Sequence, residues 1–416
     1  MAFSKPSGEP LTVLANIDMR LAEGEILGLL GRSGSGKSTL LRIAAGLIRP
    51  TAGEVLYRGE PLTGPAAGIA VVFQTFALYP WLTVQRNVEL GLDALELPVA
   101  EAHRRALAAI DLIGLDGFQS AYPRELSGGM RQRVGFARAI VSDPLLLLMD
   151  EPFSALDVLT AETLRTDFLD LWIEQKLPTK AVLLVTHNIE EAVLMCDRVL
   201  VLGAHPGQIV EEIRIALPHP RDRFAAPFRE VVGEIYSSLT SRMAEALGPG
   251  DRARWGLSQA LPRVSIHRLN GFIETLASSA YQGHCELAEI GHALALKVDE
   301  LLPIAAALHI LELAELKQAA IRLTAAGRVY AESGTEERKR LFREHLLQFV
   351  PLAAHVKQVL GERPHHRAPR ERFELELQDH MRQDDAQKTV RTLIDWGRYA
   401  EIFSYDDRTR TLSSTA

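Results

Sequence analysis

Four short runs of apolar residues divide the first half of the chain. They are EILGLLG at 25–31, LLLLMD at 145–150, AVLLVTH at 181–187 and RVLVLG at 198–203. Each run is apolar on both alternating faces, which is typical of strands buried in a parallel sheet between layers of helices. Stretches with helical periodicity separate the runs, for example at 39–47 and 158–173. This pattern predicts an α/β domain.

The pattern changes near residue 220, where LPHPRDRFAAP contains three prolines. From about residue 225 the sequence becomes charged, rich in Ala and Leu, and helical in its periodicity. A second interruption, LGPGDRARWG at 247–256, indicates a linker. We therefore predict a first domain at 1–220, a linker containing a helix at 221–262, a second domain at 263–410 and a tail at 411–416.

The second domain is predicted to be mainly α-helical and winged-helix-like. ELAEIGHAL at 286–294 and KVDELLPIAAALHI at 297–310 have helical patterns, and AAIRLTAAGR at 319–328 is interpreted as a β-like wing. The hairpin pattern EIFSYDDRTRTLSS at 401–414 suggests that a second such motif ends the domain. Its Lys and Arg residues are balanced by a similar number of Asp and Glu residues, so we expect no nucleic-acid partner.

Composition excludes several classes of protein. The net charge of −7 over 416 residues gives no general attraction to nucleic acid or anionic lipid. Two cysteines, Cys196 and Cys285, offer no disulfide framework. The N-terminal residues lack the apolar core of a signal peptide, and no apolar run is long enough to cross a bilayer. We therefore expect any membrane role to depend on a partner.

A phosphate-binding loop follows the first apolar run. GRSGSGKST matches the G-x-x-x-x-G-K-[ST] pattern between a predicted strand and a predicted helix. Its glycines let the backbone wrap a phosphate, the lysine neutralises the β and γ phosphates, and the next hydroxyl binds Mg²⁺. The ATP-binding residues predicted here are Gly31, Arg32, Ser33, Gly34, Ser35, Gly36, Lys37, Ser38 and Thr39.

Two carboxylates end the run LLLLMDEP. Asp150 is predicted to bind Mg²⁺, the role of an acid at this strand end in phosphate-loop ATPases. Glu151 is placed to act as the general base that polarises the attacking water.

LSGGMRQR at 126–133 combines a serine and two glycines with the start of a predicted helix. Such a helix end can also hold a phosphate on free backbone N–H groups. One nucleotide requires only one phosphate loop, so the second helix end needs a separate explanation.

Taken together, GRSGSGKST, Gln74, LSGGMRQR, LLLLMDEP, SALD at 154–157 and His187 resemble the ATP-binding cassette (ABC) ATPases in order and spacing. The resemblance covers roughly residues 1–220. It implies a phosphate-loop NTPase fold with a helical subdomain, and ATP and Mg²⁺ as cofactors. It also implies that Gln74 contacts Mg²⁺ and the transport partner, that Glu151 is the catalytic base and that His187 contacts the γ-phosphate.

The same resemblance explains the second helix end. In this family two copies stack head to tail, and the LSGG helix end of one copy closes on the nucleotide held by the other. The residues expected to bind ATP in the partner copy are Ser127, Gly128, Gly129, Met130 and Asp157. We therefore expect the chain to act as a dimer.

LGRSGSGKSTLLRIAAGL and FALYPWLTVQRNVELGL are similar to the nitrate/sulfonate/bicarbonate-type import ATPases. This implies an integral membrane permease as partner and, indirectly, a periplasmic or extracellular solute-binding protein. It also implies a peripheral position on the cytoplasmic face of the plasma (inner) membrane. Tyr79, Pro80, Trp81 and Leu82 are interpreted as a groove for a permease helix; the alternative is that they pack inside the helical subdomain.

Residues of about 265–410 are similar to the AAA-associated C-terminal domain that follows some of these cassettes. Interaction or regulation is the expected use of this domain. The competing hypothesis is a soluble ABC ATPase whose C-terminal domain is regulatory or binds nucleic acid. The sequence does not identify the transported solute, because that solute would not contact this subunit.

The start of the chain departs from the family pattern. The family has a strand before the aromatic residue that stacks on adenine, and Phe3 is the only aromatic residue before Tyr57. Phe3 is therefore the candidate for adenine stacking. Either this strand is missing or the native chain extends upstream of Met1.

Overall fold

The computed structural model describes residues 1–4, 10–31, 34–203, 206–246, 260–317, 319–379, 381 and 383–414. For residues 3, 4, 10, 240–246 and 364 it describes the backbone only. The chain divides into two compact units, Met1–Val231 and Val232–Ala416. The linker predicted at 247–256 lies outside the described residues.

The strands described in the first unit are β1 (Ala2–Ser4), β2 (Pro10–Thr12), β3 (Ile26–Gly31), β4 (Leu56–Tyr57), β5 (Glu60–Pro61), β6 (Ile69–Val72), β7 (Leu146–Asp150), β8 (Ala181–Thr186), β9 (Arg198–Leu202) and β10 (Ile209–Arg214). Its helices are α1 (Lys37–Ala44), α2 (Val84–Glu89), α3 (Val99–Leu112), α4 (Gly128–Ile140), α5 (Val158–Ile173) and α6 (Ile189–Met195). The helix α7 (Ala226–Ala246) follows.

A six-stranded sheet with the order β10-β9-β3-β8-β7-β6 forms the core of this unit. Its strands are parallel except β10, which pairs antiparallel with β9. Every residue of β3 and β8 is buried, as expected for central strands covered on both faces. The α/β prediction is confirmed, and the four apolar runs correspond to β3, β7, β8 and β9.

The sequence did not predict two strands of this sheet, β6 and β10, because neither forms a long continuous apolar run. β6 has only four residues, and three of them are half-buried. β10 is an edge strand with the sequence IVEEIR, so its charged residues interrupt the apolar pattern. Helix α1 begins at Lys37 rather than at residue 39, because the phosphate loop ends directly in its N-cap, Gly36.

The second unit contains α8 (Ile266–Ala277), β11 (His284–Glu286), α9 (Leu287–Ala293), α10 (Val298–Ile310), β12 (Ala314–Lys317), β13 (Ala320–Leu323), α11 (Ala325–Glu332), α12 (Thr335–Phe349), α13 (Pro351–Glu362), β14 (Arg367–Pro369), α14 (Arg370–Gln378), α15 (Gln383–Tyr399), β15 (Phe403–Asp406) and β16 (Thr411–Ser414). Its two antiparallel sheets have the orders β11-β13-β12 and β14-β16-β15.

The two sheets belong to motifs with the same connectivity. In each motif a strand is followed by two helices and a hairpin, and the last strand lies in the middle of the sheet. This is the winged-helix arrangement predicted from the sequence. The first wing is shorter than the sequence suggested, because Thr324 caps a new helix, α11, directly after β13. Residues 411–414, assigned above to a tail, form β16.

Candidate functional site

The candidate site lies at the carboxyl edge of the parallel sheet. β8 lies between β3 and β7, so the ends of these three strands are neighbours. β3 leads into the phosphate loop, β7 ends at Asp150 and β8 is followed by His187. Ligands of open α/β sheets bind at this edge, outside the carboxyl ends of the strands.

The phosphate loop leads into α1 through a left-handed residue. Gly36 has a φ of 99°, and a Cβ atom there would lie 2.7 Å from Leu14 Cδ2, so only glycine fits. Lys37 Nζ donates a hydrogen bond to Gly31 O at 2.6 Å, which folds the side chain back along the loop. The buried Ser35 hydroxyl has no hydrogen-bond partner among the described residues. Arg32 and Ser33 lie outside the described residues.

These features fit a bound phosphate group. A buried hydroxyl without a partner costs free energy, and a phosphate oxygen would accept its hydrogen bond. The loop also leads into the N-terminal end of α1, where backbone N–H groups and the helix dipole favour an anion. Thr39 lies in the first turn of the same helix.

Two residues proposed for Mg²⁺ lie within hydrogen-bond distance of each other. Ser38 Oγ donates to Asp150 Oδ1 at 3.0 Å. Burial raises the pKa of Asp150, and the Ser38 hydrogen bond opposes that shift. A buried carboxylate beside a hydroxyl is an oxygen donor set of the kind that Mg²⁺ prefers, and the cation would compensate for the lost hydration.

Glu151 adopts a backbone conformation that is unusual for a residue with a side chain. Its φ is 48°, in the left-handed region, and such strain clusters at functional sites. His187 Nδ1 lies 2.9 Å from Glu151 Oε2, and Gln74 Nε2 donates to the same oxygen at 3.4 Å. Gln74 Nε2 also contacts Ser154 Oγ at 3.3 Å. The fold thus brings together three residues that are far apart in the sequence.

The second helix end that could bind a phosphate is the N-terminal end of α4. Ser127 caps α4, and its Oγ accepts a hydrogen bond from Met130 N at 3.2 Å. Gly128 and Gly129 form the first turn, and a Cβ atom on Gly129 would lie 2.3 Å from Thr160 Cγ2. α4 packs against α2, α3, α5 and β6, whereas α1 packs against β3, β7 and β8.

Asp157 caps α5 in the same manner as Ser127 caps α4. Its Oδ1 accepts a hydrogen bond from Thr160 N at 3.0 Å. Hydrogen bonds from the side chain and the backbone of Thr160 lower the pKa of the carboxyl group. Both capping residues are exposed.

The loop after Gln74 exposes its aromatic residues. Tyr79 and Pro80 are exposed, Trp81 is 68% exposed, and Leu82 is half-buried. The two aromatic rings pack edge to face at 5.3 Å. This exposure favours the groove interpretation over packing inside the helical subdomain for three of the four residues.

Sequence reasoning missed the residue that holds this loop. The fully buried Asn87 donates hydrogen bonds from Nδ2 to the carbonyl oxygens of Tyr79, Leu82 and Thr83, and its Oδ1 accepts from Tyr79 N. An asparagine in the helical stretch VQRNVE gives no signal of this role in the sequence. A second missed feature is the buried ion pair between Arg165 of α5 and Glu191 of α6.

Phe3 lies in β1, where it pairs with Leu11 of β2. Its side chain is outside the description, so adenine stacking stays a prediction. Among the described residues no helix is long and apolar enough to cross a membrane.

The second unit offers little surface of the kind that reads DNA. α10, which follows the first helix of its motif as a recognition helix would, is buried along nearly its whole length. α15, its counterpart in the other motif, exposes acidic residues such as Asp384 and Asp395 alongside Lys388 and Arg391. A nucleic-acid interface requires an exposed element with a basic face.

Comparison with known proteins adds a family to this geometry. Residues 14–154 match the ABC transporter family, and residues 288–406 match the C-terminal AAA-associated domain. The chain is 45% identical over 241 residues to an uncharacterized ABC transporter ATP-binding protein of Methanocaldococcus jannaschii, a match that covers 58% of this chain and 89% of that protein.

Two further relatives have more specific names. A nitrate import ATP-binding protein of Synechocystis is 47% identical over 208 residues, covering 50% of this chain and 77% of the relative. An aliphatic sulfonates import ATP-binding protein of Bacillus cereus is 41% identical over 229 residues, covering 55% and 88%.

Proposed function

Because the chain belongs to the ABC transporter ATP-binding proteins, we propose that it is the ATP-hydrolysing subunit of an importer for nitrate, a sulfonate, bicarbonate or a related small solute. The observation that carries the proposal is the meeting of the phosphate loop, Asp150, Glu151, Gln74 and His187 at one edge of the sheet. The names of the nitrate and sulfonate relatives support this solute class.

In this proposal the phosphate loop and Lys37 bind the triphosphate, and Ser38, Asp150 and Gln74 hold Mg²⁺. The cation would screen the negative charge of the β and γ phosphates. Glu151 accepts a proton from the water that attacks the γ-phosphorus, and the bond to the β–γ bridging oxygen breaks to give ADP and phosphate. His187, which lies 2.9 Å from Glu151, would contact the γ-phosphate.

Two copies complete each site. Ser127 to Met130 of one copy, together with Asp157, bind the nucleotide on the phosphate loop of the other. This assignment is supported by the packing of α4 and α1 against different elements, and by the exposure of both capping side chains. The backbone N–H groups at the start of α4 would bind the phosphate of a nucleotide that is held by the phosphate loop of the partner copy.

The segment 76–88, which exposes Tyr79, Pro80 and Trp81, is the proposed contact with an integral membrane permease. Its aromatic residues can receive an amphipathic helix in the manner of other helix-in-groove complexes. The subunit would then lie on the cytoplasmic face of the membrane and act indirectly with a solute-binding protein.

The competing candidate is a soluble ABC ATPase whose second unit binds nucleic acid. The buried α10 and the mixed charges of α15 disfavour it. Regulation of the ATPase by the second unit is compatible with both candidates.

The test is a purification from native membranes with a tag on this chain. We expect a multi-span permease to co-purify and the complex to hydrolyse ATP only with Mg²⁺, with Lys37→Ala as the inactive control. Uptake of nitrate, sulfonates and bicarbonate by cells lacking the gene then identifies the solute. Recovery of ribosomes or DNA in place of a permease would refute the importer assignment.

A further inference from the structure

Gln132 of α4 is fully buried, and neither Oε1 nor Nε2 of its side chain has a hydrogen-bond partner among the described residues. Burying an amide without partners is costly, and the cost is recovered if the group later gains partners. Such groups are rare in folded proteins and call for an explanation. Gln132 lies in the same helix whose N-terminal end is proposed to bind the partner's nucleotide.

Helical periodicity and contacts define what Gln132 faces. Residues three and four apart on a helix lie on the same face. One turn before Gln132, Gly129 approaches Thr160; one turn after it, Phe136 stacks on Phe153 at 6.1 Å between ring centroids. Gln132 therefore lies on the face of α4 that contacts Phe153 and Thr160, the residues on either side of the Ser154-to-Asp157 motif.

The adjoining face of α4 packs against the loop that follows Gln74. Arg138 donates hydrogen bonds to Phe76 O and Ala77 O, and the Arg131 guanidinium lies over the Phe76 ring. α4 thus lies between the loop proposed for the permease and the segment proposed for the dimer interface. A shift of α4 would therefore change its contacts with both segments.

We propose that Gln132 is a positioning residue for ATP hydrolysis, whose amide hydrogen-bonds the main chain of residues 154–157 when α4 shifts on nucleotide binding at its N-terminal end. The inference rests on the proposed function, specifically on the second helix end binding phosphate. The main chain of this segment carries both donors and acceptors, which match the two halves of the amide. The hydrogen bonds gained favour the shifted arrangement, so the main chain of residues 154–157 is bound to α4 only when nucleotide is bound.

The proposal predicts effects of opposite sign on stability and turnover. Gln132→Met keeps the length of the side chain and removes the two polar atoms. We expect its Tm to rise by about 2–4 °C, the result of removing an unpaired buried polar group. We expect its ATP turnover to fall roughly five- to tenfold, the equivalent of one lost hydrogen bond.

Thr179→Val is the matched control. Thr179 is buried and its hydroxyl also has no hydrogen-bond partner among the described residues, but it lies in the turn before β8, outside the proposed site. This variant should raise the Tm and leave turnover unchanged, which separates a gain in stability from a loss of function.

Gln132→Glu tests the role of the amide through the pH dependence of ATP turnover, which a purely structural role would not change. A protonated glutamic acid has the shape of glutamine and retains one donor, and burial raises its pKa. Turnover relative to the native protein should therefore recover as the pH falls and decline as the pH rises. Gln132→Met should keep a constant ratio to the native protein over the same range.

Several outcomes overturn the inference while leaving the proposed function intact. A lower Tm for Gln132→Met means that the amide is already hydrogen-bonded, for example to a buried water. Native turnover in Gln132→Met, or a constant ratio for Gln132→Glu across pH, means that the amide has no role in the cycle. Absence of ATP hydrolysis by the native protein would instead refute the proposed function itself.

Discussion

In the first unit three neighbouring strands lead to polar side chains at one edge of the sheet. In the second unit the most buried helix, α10, is lined by apolar side chains that pack against its neighbours. β3, β7 and β8 lead to the phosphate loop, Asp150 and His187. In the second unit α10 is apolar and buried, and the turn between β15 and β16 is exposed. The chemistry of ATP demands particular residues at particular strand ends, while a packed motif demands only apolar volume. A reaction can therefore be inferred from the residues of the first unit, whereas only a fold can be inferred from those of the second.

The largest effect should come from Glu151→Gln. The amide keeps the shape of the side chain but cannot accept a proton, so turnover should fall by at least about 10²-fold, as for loss of a general base. ATP binding should persist, and binding of a fluorescent ATP analogue serves as the control. Turnover close to the native value would remove Glu151 from the role of general base.

A substitution in the core of the second unit should change its stability and leave ATP hydrolysis unchanged. Trp396 is fully buried, donates a hydrogen bond to Val264 O and packs edge to face on Phe342. Trp396→Ala should lower the free energy of unfolding of that unit by about 3–5 kcal/mol. Leu375→Ala, on an exposed side chain, is the control and should change it by less than about 0.5 kcal/mol.

The two buried cysteines report on the units separately. Cys196 lies in the first unit and Cys285 in the second. Burial raises the pKa of both thiols, that of Cys285 to about 12. Thiol labelling in urea should therefore require unfolding. In Trp396→Ala the labelling midpoint of Cys285 should fall while that of Cys196 stays constant. Equal shifts at both cysteines would contradict the separation of the two units.

Trp81→Asp should separate transport from hydrolysis. The side chain is exposed, so a charge there should leave the Tm unchanged and disrupt only an apolar contact with the permease. We expect solute uptake by the complex to fall about tenfold, as for loss of an aromatic anchor. Val99→Asp, at an exposed position at the start of α3, is the control. Unfolding of Trp81→Asp would favour internal packing of this loop.

The smallest effect on catalysis should follow removal of the chain after about residue 250, which carries most of the second unit. A chain ending near residue 250 keeps every residue proposed for the site, so its basal ATPase activity should stay within about threefold of native, the scale of a modest allosteric coupling. Salt-sensitive DNA binding by the full-length chain would instead support the competing hypothesis of a soluble ABC ATPase whose second unit binds nucleic acid.

The sequence predicted the central sheet because β3, β7, β8 and β9 are continuous apolar runs. It missed β10 because an edge strand needs only one buried face, and its charged residues conceal it. The winged motifs were predicted from helix and hairpin patterns, but the end of the first wing depended on the capping of α11 by Thr324.

For the candidate site, the motifs predict residues but not the contacts between them. The spacing of GRSGSGKST predicts a phosphate loop because few other sequences permit that turn. The convergence of Gln74 and His187 on Glu151 depends on strand order, which a single sequence does not contain. Asn87, Gln132 and the Arg165–Glu191 pair are polar side chains buried by tertiary packing, and the burial of a single polar residue has no local sequence pattern.

The most direct test of the account is a mixed dimer, because its central claim is that the two phosphate-binding ends of one chain serve different active sites. Lys37→Ala should inactivate both sites of a homodimer, and Ser127→Arg should do the same by placing a bulky charge where the γ-phosphate docks. A mixed dimer of the two variants, isolated through two affinity tags, collects both defects in one site and leaves the other intact. We expect its ATPase activity to be partly restored. Complete inactivity of a well-folded mixed dimer that still closes on ATP would contradict the shared site.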